Sequence, residues 1–272
     1  MLTIGITTHN RLSTLKTMAA SLYQSDLSIP HNIRIYDDNS SEFDIDELKK
    51  LFPTAASIKV NARNLKADQN TFQMYEDFLS TPDEYLFNAD SDLIFKKNCL
   101  YTGLELIKRT SGILTLLNAN SHPVVEEIDD ELCLKKTIGC AGTLIRRDRV
   151  EELVHHIHSQ KNSKSLDWQF SMHFDSKDIP IYCVKDSLVQ HIGYSGQNSF
   201  LYFDFGRNFR IESAEQGQIL NDVLESYVKE ISRLEKERMD NLAYHFKRFI
   251  TIIFKKLLPP KLYSSIRQKL KK

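Results

Sequence analysis

The 272-residue sequence lacks a net charge: 36 Lys and Arg are balanced by 36 Asp and Glu. That absence of a basic excess speaks against a general nucleic-acid binder, whose phosphate contacts leave a positive footprint. Glycine is scarce, with nine residues, and near the N-terminus only Gly5 occurs, so no glycine-rich phosphate loop opens the chain. The four cysteines, Cys99, Cys133, Cys140 and Cys183, form no CxxC pair and lie in apolar or strand-like surroundings. They read as buried, reduced thiols rather than disulfides or zinc ligands, which points to a reducing compartment. No secretory-type charged start and apolar stretch is present, and the longest strongly apolar tail run, residues 249–254, is far short of the ~20 residues that span a bilayer. The expectation is a cytoplasmic protein whose membrane contact, if any, is peripheral. Repeats and low-complexity tracts are also missing. What is present, 41% apolar and 26% charged residues, describes a soluble globular protein and excludes collagen-like, disordered and disulfide-scaffold classes.

The zero balance is a sum of unlike parts. Residues 243–272 hold nine Lys and Arg and no acid, leaving the first 242 residues with 27 basic against 36 acidic side chains. Within the acidic body, strands predicted at residues 2–7, 33–36, around 58–60 and at 84–88 alternate with helices beginning at Leu12 and spanning 44–52 and 67–79. This alternation implies a parallel α/β sheet, with ligands gathering beyond the carboxyl ends of its strands. Further strands are expected at 112–117, 133–138 and 143–146. A heptad-like stripe, Leu220, Leu224, Tyr227, Ile231 and Leu234, reads as a helix over 218–242 that packs on the domain or pairs with a second copy.

Polar clusters sit where the strands end. Asp90-Ser91-Asp92 directly follows the apolar Tyr85-Leu86-Phe87, and two carboxylates at the end of a buried strand must stay solvated or find a cation. Hard divalent ions such as Mg²⁺ or Mn²⁺ suit such oxygen ligands. Upstream stand Ile4-Gly5-Ile6-Thr7-Thr8-His9-Asn10-Arg11 and Tyr36-Asp37-Asp38-Asn39-Ser40. In order and spacing these three elements resemble inverting glycosyltransferases of family 2 with the GT-A fold. Gly139-Cys140-Ala141-Gly142, Leu166-Asp167-Trp168 and Gln190-His191-Ile192-Gly193 resemble later segments of the same family, so the likeness covers roughly residues 1–200.

The resemblance implies a Rossmann-like, mostly parallel central sheet flanked by helices, with a C-terminal helical extension. Its boundaries are expected at 1–211 for the catalytic domain, divided into a nucleotide-sugar half (1–95) and an acceptor half (96–211), and 212–272 for the extension. It implies Asp167 as the base that takes a proton from the acceptor hydroxyl. Asp90, Asp92 and His191 are the implied ligands of Mn²⁺ or Mg²⁺, with Thr7, His9, Arg11, Asp38, Arg63, Lys66, Asp90 and Ser91 around the nucleotide sugar. Asp38 would accept the uracil imide N–H of a UDP-sugar. Gly142 and Trp168 are placed on the acceptor side. Alternative readings stay open: His191 as a satisfied histidine near a strand end, Ser165 or Asp167 as a helix cap, Trp168 as core. Two departures from the family pattern are Gln69, where an Arg often helps hold the diphosphate, and Leu166, where an acid precedes the base.

The partners implied are a nucleotide-sugar donor and a glycan, lipid-linked or protein-linked acceptor, in bacterial polysaccharide or glycoconjugate synthesis. The competing classes are a sugar nucleotidyltransferase and a catalytically silent subunit. His155, His156 and His158 read as a solvated helix face rather than a metal site. Apolar residues Phe246, Phe249, Ile250, Ile253, Phe254 and Leu257 recur at helical spacing among Lys247, Arg248, Lys255 and Lys256. That is the pattern of an interfacial helix facing an anionic membrane, or of a basic packing helix. Residues 202–210 read as a flap over the site or as a packed loop.

Overall fold

A computed structural model describes residues 1–159, 165–193 and 205–211, with scattered positions between 217 and 249. The chain divides into two compact units, Met1–Leu220 and Asn221–Lys272.

The first unit begins with β1 (Leu2–Thr8), α1 (Leu12–Gln24), β2 (His31–Asp37), α2 (Ile45–Leu51), β3 (Ala55–Val60), α3 (Ala67–Leu79) and β4 (Tyr85–Asp90). Helix α1 forms because Leu15, Met18, Ala19 and Leu22 recur on one face, and that face is buried. Asp44 starts α2 by accepting the backbone N–H groups of Asp46 and Glu47. Strands β3, β2, β1 and β4 lie side by side in that order and all pair in parallel. Both faces of β1 are buried: Leu2, Ile4 and Ile6 are essentially inaccessible on one, and Thr3 on the other is equally buried and donates to Asp83 Oδ2 at 2.6 Å. Each of the three apolar side chains contributes about 1.5–3 kcal/mol by leaving water.

Beyond β4 the structure departs from a mostly parallel sheet. The remaining elements are β5 (Leu93–Phe95), α4 (Cys99–Ile107), β6 (Ile113–Thr115), β7 (Val124–Glu127), β8 (Leu132–Lys135), β9 (Thr143–Arg146), α5 (Arg147–Ser159), α6 (Leu166–Asp175), β10 (Ile181–Val184) and β11 (Val189–His191). The nine-stranded sheet continues β4-β9-β6-β10-β8-β7. Here only β6 and β10 are parallel, because β9 runs antiparallel to both β4 and β6, and β8 antiparallel to both β7 and β10. One sheet therefore runs through both expected halves. A separate two-stranded ribbon joins β5 to β11, a pairing absent from the sequence reading.

Two registers place the polar strand ends together. Thr7 on β1 is level with Asp90 on β4, and Thr8 with Asp37 on β2. In the ribbon, His191 lies opposite Leu93, which brings it to the residue after Asp92.

All four cysteines are buried and free, as their surroundings suggested. In the second unit, described positions between 221 and 236 are helical, and Leu224, Val228 and Ile231 are exposed. The proposed membrane segment 243–272 lies outside the described residues apart from Phe246 and Phe249, both exposed. Among the described residues no helix is long and apolar enough to cross a membrane.

Candidate active site

Asp92 is the most enclosed member of the acidic cluster. Arg11 Nη1 donates to its Oδ2 at 2.9 Å. Gly193 covers the same oxygen so closely that a Cβ there would lie 2.0 Å from Oδ2, a gap only glycine tolerates. On the other side, Oδ1 is buried without a hydrogen bond, and His191 Nε2 stands 3.2 Å from it. Burial opposes ionisation of Asp92, but His191 and Arg11 outweigh it and hold the carboxyl below the usual carboxylate range. Asp90 goes the other way. Desolvation and then the charge of Asp92 push its carboxyl up to about 6, although Thr7 Oγ1 donates to Oδ1 at 3.1 Å.

These residues fit a hard divalent cation. An octahedral ion with ligand bonds of about 2.1 Å has neighbouring donors about 3 Å apart. The buried Asp92 Oδ1 and His191 Nε2 are separated by nearly that edge, 3.2 Å. Asp90 has not joined them into a closed cluster: among the described residues, no three His, Cys, Asp or Glu side chains gather as a metal site. The histidines of α5 do not gather either. His156 stacks on His173 with ring centroids 4.1 Å apart, and His158 meets Glu76 at 2.9 Å.

Asp167 stands in the first turn of α6, where an acid suits the helix dipole. Its Oδ1 accepts the Cys140 backbone N–H at 3.0 Å, which fixes the carboxylate against the 139–142 loop. Ser165 occupies the cap position without a side-chain cap bond. A cavity of about 270 Å³ joins Asp90 and His191 to Asp167. Gly142 is not on its wall, which is formed instead by Gly139, Cys140 and Ala141. Gly142 has φ 74°, and a Cβ would meet Val189 Cγ2 at 2.9 Å, so this glycine lets the loop pass against the ribbon. Trp168 is 57% exposed, which removes the core reading of that residue.

The other residues that the resemblance implies around the nucleotide organise loops. Asp38 is buried, and its carboxylate accepts the backbone N–H groups of Leu65 at 2.7 Å and Lys66 at 2.8 Å and the Asn61 amide at 3.0 Å. It therefore holds the β3–α3 loop, a use the resemblance did not suggest. Lys66 adopts φ 72° before α3, a conformation uncommon for a residue with a side chain. His9 Nε2 lies 3.0 Å from Asn64 Nδ2, tying the β1–α1 loop to the same segment, while Arg63 is exposed there. Ser91 is buried beside Arg11, 3.5 Å from Nη2.

Three acidic or basic residues of the cavity wall escaped the sequence reading: Asp68, His122 and Lys135. Burial and then the nearby Asp167 push the Asp68 carboxyl up. Its place just after the start of α3 was a usable signal, whereas Lys135 lay inside a strand pattern that offered none.

No family model matches the sequence, and no curated protein matches it. A crystal structure of GalNAc-T7 with UDP, GalNAc and Mn²⁺ superposes with a TM-score of 0.57 at 15% identity, covering 70% of this chain and 43% of that one. A crystal structure of S. aureus TarS residues 1–349 with UDP-GlcNAc gives a TM-score of 0.46 at 13% identity, covering 63% of this chain and 52% of that one. The chain has the GT-A fold, a mixed α/β sheet flanked by helices. It spans less than half of the GalNAc-T7 chain and about half of the TarS chain.

Proposed function

We propose that this chain is an inverting glycosyltransferase that moves a sugar from a nucleotide-sugar donor, a UDP-sugar, to an acceptor hydroxyl with Mn²⁺ or Mg²⁺ present. One observation carries the reading: a single cavity at the carboxyl edge of a GT-A sheet joins the acidic cluster of Asp90 and His191 to the carboxylate of Asp167. The UDP and Mn²⁺ of the GalNAc-T7 structure agree with it. Asp92, His191 and Asp90 would hold the cation, which would supply Lewis-acid neutralisation of the leaving diphosphate. Arg11 adds positive charge beside them. Asp167 takes the proton from the acceptor hydroxyl as that oxygen bonds to the anomeric carbon and the bond to the diphosphate oxygen breaks. This is one displacement, with no covalent enzyme intermediate. The acceptor is a glycan, glycolipid or glycoprotein of a bacterial surface pathway.

The test is a panel of nucleotides screened with Mn²⁺ for thermal stabilisation. UDP and UDP-sugars should raise the melting temperature only with the cation. Stabilisation by nucleoside triphosphates and sugar phosphates, but not by UDP, would favour a nucleotidyltransferase instead. With a turnover substrate in hand, Asp167→Asn should keep UDP affinity and lower transfer by roughly 10²–10⁴-fold. Transfer at the wild-type rate would remove Asp167 as the base.

A further inference from the structure

Asn88 stands among the apolar Leu86, Phe87 and Ala89 of β4, and its side chain is completely buried. An amide there costs stability unless its groups are hydrogen-bonded, and Asn88 meets that demand only in part, because its Oδ1 is buried without a hydrogen bond. Its nitrogen is fully used. Nδ2 donates to the Cys140 backbone carbonyl at 3.0 Å and to the Tyr75 hydroxyl oxygen at 3.2 Å. A carbonyl only accepts, so the Cys140 contact fixes which arm of the amide carries the nitrogen. The main chain adds a second tie to the same loop, where the Asn88 carbonyl accepts the Gly142 N–H at 2.9 Å.

Cys140 is thereby gripped at both ends. Its carbonyl accepts from Asn88 and, at 3.2 Å, from the Thr143 N–H. Its own N–H donates to Asp167 Oδ1 at 3.0 Å. Side chains alternate between the faces of a strand, so Asn88 and Asp90, two residues apart, project from the same face of β4. Asp90, Cys140 and Asp167 line the cavity, whereas neither Asn88 nor Tyr75 is on its wall. One strand face thus carries an acid of the proposed cation site and, through a single residue of the 139–142 loop, the anchor of the proposed base.

A single displacement needs the acceptor oxygen opposite the departing diphosphate, so base and cation site must keep a set separation. A misplacement of about 1 Å costs on the order of 10²-fold in rate. Packing alone does not call for an amide at this position, because leucine would fill it with similar volume and no buried polar atoms.

We infer that Asn88 is a positioning residue for Asp167: by holding the Cys140 carbonyl, it sets where the Cys140 N–H anchors the base relative to Asp90. It acts through Cys140 rather than by touching substrate. This rests on the glycosyl-transfer reading and deepens it.

The test is a cycle of four full-length proteins, the wild type, Asn88→Leu, Asp167→Asn and the double variant, each made with ¹⁵N-labelled cysteine. The four cysteines give four amide signals, and Cys140→Ser identifies the one from Cys140. In the wild-type background Asp167→Asn should move the Cys140 amide proton upfield, because an uncharged acceptor replaces a carboxylate. In the Asn88→Leu background the same change should move it far less, since the bond is already loosened. Equal shifts in both backgrounds, the result of a role confined to packing, would overturn the inference. Asn88→Leu should melt near the wild type, and Asn88→Ser serves for the same comparison should the Leu variant not fold. In turnover, Asn88→Leu should lower kcat by roughly 10–100-fold with UDP and Mn²⁺ affinity unchanged, and should cost little further in the Asp167→Asn background. Losses that multiply in the double variant, or a loss confined to UDP affinity, would also overturn it. Failure of the underlying reading looks different: if UDP with Mn²⁺ does not bind the wild type, or Asp167→Asn transfers at the wild-type rate, the base assignment falls and this inference with it, whatever the amide signals show.

Discussion

Asp92 shows how one carboxylate can serve two partners at once. Its Oδ2 is committed to Arg11 and its Oδ1 faces His191, so the side chain is oriented before any ligand arrives. The same guanidinium neutralises charge that a dication would otherwise use. Arg11→Gln should therefore raise affinity for Mn²⁺ alone roughly tenfold, through removal of a cation a few ångströms from the site. Electron paramagnetic resonance of free Mn²⁺ would measure it, and unchanged or weakened metal binding would show that Arg11 mainly positions Asp92. Asp38 carries a different lesson. A carboxylate expected to face the uracil accepts from three donors within residues 61–66, so its structural use is to shape the β3–α3 loop. Sequence pattern locates such an acid at a strand end, but the donors that reach it belong to a segment more than twenty residues away.

At the scale of elements, the β5–β11 ribbon is what makes an acidic strand end into a candidate metal site. Its register carries His191 to Asp92 and lays Gly193 against the carboxylate. Gly193→Ala must push that carboxylate or the backbone aside, at a cost of about 1–3 kcal/mol. The expected result is a fall in melting temperature of roughly 2–12 °C together with loss of Mn²⁺-dependent UDP binding; full binding with wild-type stability would contradict the geometry. Helices α5 and α6 meet through the His156–His173 stack. Burial, and then His156, holds the His173 imidazole below its ordinary pKa, against the opposing pull of Glu152, whose Oε1 is 3.3 Å from Nε2. As pH falls through about 6.5, the unfolded chain takes up this proton before the folded chain does, so folding stability declines. Melting curves should drop between pH 7 and pH 5, and His156→Gln, by removing the second imidazole, should lessen the drop. A drop of the same size in that variant would assign it to other groups.

At the scale of the whole molecule, the absent net charge with which the sequence began conceals an acidic body and a basic end. Removing residues 243–272 should release the protein from anionic liposomes in a sedimentation assay, since each basic residue near such a surface is worth about 1 kcal/mol; equal sedimentation of both forms would reject membrane attachment. The parallel half of the sheet was legible because its strands and helices alternate and each period is strong over several residues. The other half was legible only as scattered strands: β6, β8 and β9 carry apolar runs, while the short β5 and β11 lack a period long enough to read. Of the site, the sequence named the candidate groups: Asp90 and Asp92 by their place at the end of an apolar strand, which is a local property, and Asp167 and His191 through the family resemblance. Tertiary structure decided what they face: Arg11 against Asp92 and the Cys140 amide against Asp167. Those pairings depend on strand order and register between segments far apart in the chain, and on the burial that sets the cost of each charge, neither of which any local stretch of sequence contains.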